Sequence, residues 1–343
     1  TNWPSTDGSR QKEHAHVAIA SPEKTWGNYI GGEWVASESG KTFESRNPAN
    51  TNELIGEFAA STKGDVDAAI QAASDAAARW RDTTAIARAN ILYKAAEILA
   101  SRQAEVGREL AREEGKTLKE GVGETGRAVQ ILRYYAGDIQ QPDGEHYPSA
   151  NPDTLLYTTR EPLGVVGVIT PWNFPIAIPA WKIAPAIAYG NTVVFKPASA
   201  TPLLAARFVE ALADAGLPAG VVNLVTGSAS TVGDPLVEDD RITAISFTGS
   251  GDVGRKLSAT AAKRGAKVQL ELGGQNPAIV LADADMNHAL QHVMTGAMWS
   301  SGQKCTATSR AIVHRSIADE FTAKLLDKIK GLKVGDPLDD STH

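Results

Sequence analysis

The stretch VVGVITPWNFP, residues 165–175, opens a run in which short β-branched segments alternate with alanine-rich segments of helical length. Near-continuous apolar runs of this kind are typical of strands covered on both faces. The predicted strands are Val165–Thr170, Thr192–Lys196, Val221–Thr226, Ile242–Thr248 and Val268–Leu272. The predicted helices between them are Pro179–Tyr189, Leu203–Ala215, Ser230–Val237 and Val253–Arg264. This alternation predicts an α/β fold with an open, doubly wound parallel sheet that binds ligands at the carboxyl ends of its strands.

Further elements are predicted on both sides of this sheet. The segment YIGGEWV, residues 29–35, places two glycines between strand formers and predicts an antiparallel hairpin. Apolar residues at i, i+3, i+4 and i+7 then predict the helices Asp65–Ala78, Ala85–Ala100, Gln103–Glu114 and Glu124–Gly137. After the sheet, the predicted elements are the helix Asp283–Ser301, the strand Ala311–Arg315, the helix Ala318–Ile329 and a polar turn over Gly335–His343.

Composition narrows the class of protein. The 343 residues carry 34 Lys and Arg against 40 Asp and Glu, a net charge of −6, which disfavours a nucleic-acid partner. The single cysteine, Cys305, excludes a disulfide within the chain and favours a reducing cytoplasm. No apolar run approaches the roughly 20 residues that a membrane helix needs.

The segment GSGDVG, residues 249–254, matches the dinucleotide fingerprint G-x-G-x-x-G between a predicted strand and a predicted helix. Glycines there let the backbone approach a pyrophosphate at a helix N-terminus. Glu271 lies 17 residues beyond Gly254, near the spacing of the acid that holds a ribose. From the sequence pattern it is either that acid, a carboxylate that the following tight turn places at the ligand-facing edge of the sheet, or a surface carboxylate at a strand end.

Two further segments contain candidate catalytic residues. Cys305 stands among small and polar residues beside Lys304, which favours a reactive thiolate, although a packed cysteine fits the composition equally well. Asn173, in the turn after the first strand, is either a donor to a developing oxyanion or a turn former. His288 and His292 have helical spacing but lack a third ligand, and His14 and His16 are only superficially a pair, so no metal site is predicted.

Taken together, these residues resemble the aldehyde dehydrogenase superfamily from Asn28 to the last residue. The matching motifs are Asn47-Pro48-Ala49, Pro171 to Pro175, Lys196-Pro197-Ala198, Phe247-Thr248-Gly249-Ser250, Glu271-Leu272-Gly273-Gly274 and Gly302-Gln303-Lys304-Cys305. The resemblance implies NAD(P)-dependent oxidation of an aldehyde to a carboxylic acid. Other classes fit less well: a short-chain dehydrogenase would need a Tyr-x-x-x-Lys pair, and a cysteine hydrolase would leave Lys196 and the sheet without a role.

The resemblance implies a role for each catalytic candidate. Cys305 would attack the aldehyde as a thiolate, and the Asn173 amide with the backbone N–H of Cys305 would hold the resulting oxyanion. Glu271 would deprotonate the water that hydrolyses the thioester, a role suited to a partly desolvated carboxylate, and this replaces the ribose role.

The same resemblance implies a binding site for NAD or NADP. Gly249 and Ser250 would meet the pyrophosphate, Lys196 the adenosine ribose, and Gly227 would border the adenine. Ser199 stands where NAD-dependent relatives usually have Glu, and its lack of charge suggests that NADP is accepted. The full implied set is Thr170, Pro171, Trp172, Lys196, Ala198, Ser199, Gly227, Phe247, Thr248, Gly249, Ser250, Leu272 and Gly273.

The implied domain organisation has four parts. They are an N-terminal arm over 1–24, a cofactor domain over 25–143 and 163–273, an oligomerisation hairpin over 144–162, and the first part of an incomplete catalytic domain over 274–343. The hairpin implies a homodimer or homotetramer once the protein is complete.

The resemblance also bears on the substrate. Residues around Cys305 look most like the branch that acts on 2-oxoglutarate semialdehyde (2,5-dioxopentanoate), and Trp172, Arg133 and Met298 are candidates for lining the substrate site. Succinate semialdehyde, lactaldehyde, betaine aldehyde, or an inactive truncated cofactor-binding fragment remain as alternatives.

Overall fold

The computed structural model describes residues 25–343; the predicted arm, with His14 and His16, lies outside the described residues. The strands are β1 Thr25–Trp26, β2 Asn28–Ile30, β3 Glu33–Val35, β4 Thr42–Arg46, β5 Leu54–Ala59, β6 His146–Tyr147, β7 Leu156–Tyr157, β8 Val165–Ile169, β9 Thr192–Lys196, β10 Val222–Leu224, β11 Ile242–Gly249, β12 Lys267–Leu272, β13 Asn276–Val280 and β14 Thr308–Val313. The helices are α1 Lys63–Arg81, α2 Ala85–Ser101, α3 Gln103–Glu114, α4 Leu118–Asp138, α5 Ala177–Ala188, α6 Pro202–Asp214, α7 Asp234–Glu238, α8 Gly251–Lys263, α9 Met286–Met298 and α10 Ala318–Lys330.

The main sheet has the order β12-β11-β8-β9-β10-β2-β3, and its first five strands are parallel. The first strand of the parallel part, β8, therefore lies in its middle. The next two strands, β9 and β10, are added on one side of β8, and β11 and β12 are added on the other side. The predicted hairpin, β2 and β3, extends the sheet in antiparallel fashion through β10. The predicted doubly wound parallel sheet is confirmed. The order in which its strands are added reverses between β8 and β11.

Burial explains why the central strands lack polar alternation. Every residue of β8 and β9 is buried, because α1 packs on these strands from one side and α5 from the other. Val168, Val194 and Phe195 have no exposed surface. Strands covered on both faces bury every side chain, so their sequence is continuously apolar rather than alternating.

Helices α1 and α4 begin at capping boxes, Thr62 with Asp65 and Thr117 with Glu120, in which each side chain bonds to the backbone of the other residue. The second box explains why α4 begins at Leu118, six residues before the predicted start at Glu124. The prediction followed the apolar stripe, but the T-x-x-E signal already stood in the sequence.

Four other predictions differ from the structure, among them the strand predicted over Ala311–Arg315, which lies at Thr308–Val313. Strand β10 covers only Val222–Leu224, and the helix predicted over Ser230–Val237 is a π-helical turn at Ala229–Gly233 followed by the short α7. The helix predicted over Asp283–Ser301 ends at Met298. Ser300 and Ser301 then have φ values of 52° and 53°, which a right-handed helix cannot include.

The segment after β12 forms a small unit of its own. Strand β13, which was not predicted, pairs in parallel with β14, and α9 and α10 cover one face around Phe321. Elsewhere, β6 and β7 pair as an antiparallel ribbon. Within residues 25–343, no helix combines the length and the apolar character needed to span a bilayer.

The contact between α3 and α4 generates a stability prediction, because a Cβ on Gly121 would lie 2.4 Å from the carbonyl oxygen of Gly107. We expect Gly121→Ala to lower the free energy of unfolding by about 1–3 kcal/mol through overpacking. The matched control is Gly123→Ala, where the added Cβ meets nothing within 4 Å; it should raise stability by about 0.5–1 kcal/mol. Urea unfolding measures both, and equal shifts for the two variants would contradict the prediction.

Candidate active site

The carboxyl ends of the five parallel strands bring together most of the predicted cofactor residues. Thr170 follows β8, Lys196 ends β9, Gly249 ends β11 and Leu272 ends β12, directly opposite Gly249 in the register. The strand order reverses between β8 and β11. Open α/β sheets bind their ligands at the carboxyl ends of the strands beside such a reversal. The hydroxyl oxygen of Thr170 is buried there, and no residue of 25–343 forms a hydrogen bond with it.

Asn173 connects this edge to the segment that contains Cys305. Its side-chain Nδ2 donates to the carbonyl oxygen of Gln303 at 2.8 Å, across 130 residues of sequence. An amide nitrogen carries two hydrogens, so one donor remains for another acceptor. The predicted oxyanion donor therefore lies against the backbone two residues before the predicted nucleophile.

Cys305 is exposed in a turn between α9 and β14. Asn276, at the start of β13, holds this turn: its Nδ2 donates to the carbonyl oxygens of Cys305 at 2.7 Å and Ala307 at 3.1 Å. The ammonium of Lys304, the residue before Cys305, stands 5.5 Å from the ring centre of Trp299. Asn276 was not a predicted site residue, because its contact partner lies 29 residues later in the chain.

Glu271, the residue before the end of β12, has an exposed side chain, not the partly desolvated one that its predicted role favours. Its Oε1 accepts a hydrogen bond from Nε2 of Gln269 at 3.0 Å. The Oε1 atom of Gln269 accepts in turn from the ammonium of Lys182 at 2.9 Å. Two hydrogen bonds through Gln269 therefore connect the ammonium of Lys182, buried in α5, to the carboxylate of Glu271.

Lys182 is a site residue that the sequence reasoning missed. Its ammonium also donates to the hydroxyl of Ser246 at 2.9 Å, and burial lowers its pKa to about 8, against the opposing effect of Glu271. The available signal was a lysine within an otherwise apolar helix, since lysine is seldom fully buried without polar partners.

A buried ion pair fixes the loop that carries Asn173. The ammonium of Lys116 donates to Glu124 at 2.6 Å and to the carbonyl oxygen of Asn173 at 2.9 Å, and it lies 4.0 Å from the ring centre of Phe174. The other oxygen of Glu124 accepts from the backbone N–H groups of Ile176 and Ala177, both at 3.1 Å. Both charges thus have complete sets of partners.

Helix α8 begins at the predicted fingerprint. The hydroxyl of Ser250 caps it by accepting from the backbone N–H of Val253 at 3.4 Å. A Cβ on Gly249 would lie 2.5 Å from the buried Phe247 ring. A Cβ on Gly254 would lie 2.6 Å from Leu272. Gly254 therefore allows close packing of α8 on β12, and Gly249 leaves room for the Phe247 ring of its own strand.

The predicted adenosine side lies beyond β9. Lys196 is buried, its ammonium donates to the carbonyl oxygen of Pro197 at 2.9 Å, and burial lowers its pKa to about 8. The hydroxyl of Ser199 donates to the carbonyl oxygen of Gly227 at 2.9 Å. Gly227 has φ 147°, and a Cβ there would stand 2.8 Å from Val232. The structure thus places Lys196, Ser199 and Gly227 along one edge, with Ala198 between the first two.

The remaining candidates are distributed differently. Thr248 lies opposite Glu271 in the register, Gly273 follows β12, and Pro171 and the 41% exposed Trp172 follow Thr170.

Met298 lines a cleft of about 940 Å³ bounded by α9, the first turn of α4 and residues 332–343. Arg133 instead pairs with Glu97 on the surface, its Nη2 2.8 Å from the carboxylate. The rings of His288 and His292 pack edge to face with their centres 4.2 Å apart, and residues 25–343 contain no cluster of three potential metal ligands.

The sheet, the Asn173 loop and the Cys305 turn define an α/β protein with a ligand-binding type of sheet edge beside an exposed thiol. The model of the aldehyde dehydrogenase family matches residues 34–343, and the chain belongs to this family.

Curated relatives and solved structures support this placement. The chain is 50% identical over 322 residues to an alpha-ketoglutaric semialdehyde dehydrogenase of Bacillus subtilis (strain 168), covering 94% of this chain and 66% of that protein. It is 45% identical over 308 residues to an alpha-ketoglutarate semialdehyde dehydrogenase of Haloferax volcanii, covering 90% and 64%. A betaine aldehyde dehydrogenase of Staphylococcus aureus, solved in complex with NAD+, superimposes with a TM-score of 0.90 at 36% identity, covering 93% and 63%. The chain thus spans just under two thirds of the length of these relatives.

The buried Lys196 generates a prediction on pH. A lysine whose folded pKa is lowered from 10.5 to about 8 binds its proton less readily in the folded chain. Its contribution to stability is therefore greatest above pH 10.5 and is lost as the pH falls through 8. We expect Lys196→Met to remove a rise of up to about 3 kcal/mol in the free energy of unfolding between pH 8 and 10.5.

Urea unfolding of both proteins at pH 7.5, 9 and 10.5 measures this difference. The exposed Lys324→Met serves as the control, since its pair with Glu320 is at the surface. The same pH dependence in Lys196→Met and in the unchanged chain would refute the assignment.

Proposed function

We propose that the protein containing this chain oxidises an aldehyde to a carboxylic acid with NAD or NADP as the oxidant. The observation that carries this proposal is the hydrogen bond from the Asn173 amide to the backbone of Gln303, which places an oxyanion donor beside the turn of Cys305. A preorganised donor of this kind stabilises a developing negative charge without reorganisation. Relatives named as semialdehyde dehydrogenases support the same reaction class.

The catalytic residues divide the reaction into two stages. The Cys305 thiolate adds to the aldehyde carbon, and the carbonyl electrons move to the oxygen, which the Asn173 amide holds in the thiohemiacetal. Loss of hydride from that carbon leaves a thioester on Cys305. Glu271 then takes a proton from water as the water attacks the thioester, which releases the carboxylic acid and the thiolate.

The cofactor site is proposed from groups that fit a dinucleotide. The N-terminus of the thirteen-residue α8 at Gly249 and Ser250 suits a pyrophosphate, and the buried ammonium of Lys196 suits ribose hydroxyls. The hydroxyl of Thr170, which has no hydrogen-bond partner among residues 25–343, lies at the same sheet edge. When bound, the nicotinamide supplies the hydride acceptor.

Acceptance of NADP is proposed from Ser199. Its hydroxyl is neutral and already donates to Gly227, so this position presents no negative charge to a 2′-phosphate. Relatives named as NADP(+)-dependent D-glyceraldehyde dehydrogenases, from Picrophilus torridus and Thermoplasma acidophilum, support this choice at 40% and 39% identity.

The proposed substrate is a semialdehyde such as 2-oxoglutarate semialdehyde, supported by the names of relatives that are 42–50% identical. A second candidate is a different aldehyde such as betaine aldehyde, supported by the structural neighbour from Staphylococcus aureus. Oxidation rates with aldehydes that carry or lack a distal carboxylate separate the two.

The proposed assembly and compartment follow from two features. Ribbon β6–β7 exposes Tyr147, Leu156 and Tyr157, apolar surface that suits pairing with a second copy. The exposed Cys305 must stay a thiol for the reaction, which favours a reducing cytoplasm.

The two-stage mechanism predicts different defects for its two residues. Cys305→Ala should oxidise no aldehyde, because no thiohemiacetal forms. Glu271→Gln should release a burst of about one NAD(P)H per active site and then turn over at least about 100-fold more slowly, since only hydrolysis of the thioester is impaired. Stopped-flow absorbance at 340 nm measures both stages. Retained oxidation in Cys305→Ala, or an unchanged steady state in Glu271→Gln, would overturn the assignment.

The cofactor assignment predicts the effect of a charge at position 199. Ser199→Glu should lower kcat/KM for NADP by roughly 10–100-fold and leave NAD much less affected, because the carboxylate repels a 2′-phosphate. Ala200→Glu, which adds the same charge at the next exposed position, is the control. Equal losses with both cofactors, or a preference for NAD before any substitution, would count against the role of Ser199.

A further inference from the structure

The turn between α9 and Cys305 has an unfavourable backbone conformation. Ser300, Ser301 and Gly302 have φ values of 52°, 53° and 70°, one after another. Across residues 25–343, these two serines are the only non-glycine residues with positive φ. Side chains with a Cβ rarely adopt this region, and such residues persist only where surrounding contacts hold them.

One carboxylate provides such a contact. Oε1 of Glu120 accepts the backbone N–H of the buried Ser300 at 2.8 Å, and the Ser300 hydroxyl stands 3.4 Å from the same oxygen. Oε2 of Glu120 is used separately, since it accepts from Thr117 in the capping box of α4. The two oxygens therefore divide between the helix start and the left-handed turn.

Hydrogen bonds connect this turn to Asn173 of the candidate site. The carbonyl oxygen of Ser300 accepts the N–H of Gln303 at 2.8 Å, and the carbonyl oxygen of Gln303 accepts the Asn173 amide. Lys116, just before α4, holds the Asn173 backbone. The start of α4 therefore contacts both segments of the proposed oxyanion site. Glu120 contacts the turn before Cys305, and Lys116 contacts the loop that carries Asn173.

We propose that Glu120 is a positioning residue for Cys305, acting through the left-handed turn at Ser300–Gly302. The inference rests on the proposed catalytic role of Cys305. Glu120 holds Ser300 by a hydrogen bond to its backbone, so the acceptor oxygen matters and the negative charge does not. Small displacements of a reacting group lower the rate strongly, because the near-attack geometry is lost.

Four variants separate this role from helix capping and from charge. Glu120→Ala removes both contacts of the carboxylate. Glu120→Gln keeps an acceptor for Ser300 without the charge. Thr117→Ala weakens the capping box and keeps the contact with Ser300. Adding Ser300→Gly to Glu120→Ala removes the Cβ that makes the left-handed conformation unfavourable.

Two measurements on the purified protein test the proposal. Hydrogen–deuterium exchange of the peptide covering 299–304, followed by mass spectrometry, reports the turn without substrate or cofactor. Steady-state kinetics report kcat and the KM for NADP, and thermal unfolding confirms that each variant is folded.

Glu120→Ala should exchange at least about tenfold faster over 299–304 and lose about 10–100-fold in kcat with KM for NADP within about twofold. Glu120→Gln and Thr117→Ala should stay within about threefold of the unchanged protein in both measurements, and Ser300→Gly should restore part of the loss.

Each other result overturns the proposal. Unchanged exchange in Glu120→Ala shows that the carboxylate does not hold the turn, and faster exchange with unchanged kcat shows that the turn does not position Cys305. A loss in Glu120→Gln equal to that in Glu120→Ala assigns the effect to charge. If the unchanged protein oxidises no aldehyde, the proposed function fails and the catalytic role of Glu120 fails with it, while the exchange measurement still decides whether Glu120 holds the turn.

Discussion

The buried ion pair between Lys116 and Glu124 is the constraint on which the arrangement of the site depends. Removing two charges from water costs several kcal/mol for each, and only a complete set of partners offsets that cost. Here the partners are backbone groups of the loop after β8: the carbonyl oxygen of Asn173 and the N–H groups at the start of α5. In the loop conformation described here both charges have partners, and the backbone of Asn173 is held by Lys116.

From this loop the site extends in two directions. Towards the sheet, the strand order brings the ends of β8 and β11 side by side, so that Thr170 and the start of α8 border the same edge. Towards the smaller unit, the Asn173 amide reaches the backbone of Gln303. Asn276 holds the Cys305 turn from its other side. The candidate cofactor edge and the Cys305 turn thus meet at the loop that carries Asn173.

Local sequence signals predicted most of the regular structure. Strand β9 and helix α3 have the predicted bounds, because an apolar run and an amphipathic period are properties of neighbouring residues. The end of α9 was predicted wrongly for the opposite reason. Two serines favour no left-handed turn by themselves, and the acceptor that holds Ser300 lies in Glu120, 180 residues earlier. Strand β13 was missed because its partner β14 comes more than 25 residues later.

The sequence by itself determined the alternation of strands and helices, the presence of a single cysteine at position 305, and the glycine pattern at the start of α8. These follow from residue type and spacing alone. Only the tertiary structure decided that Asn173 contacts the cysteine segment and that Lys182 reaches Glu271 through Gln269. Such contacts join residues that lie far apart along the chain or on different elements. Their geometry depends on how the elements pack, and local periodicity carries no information about that packing.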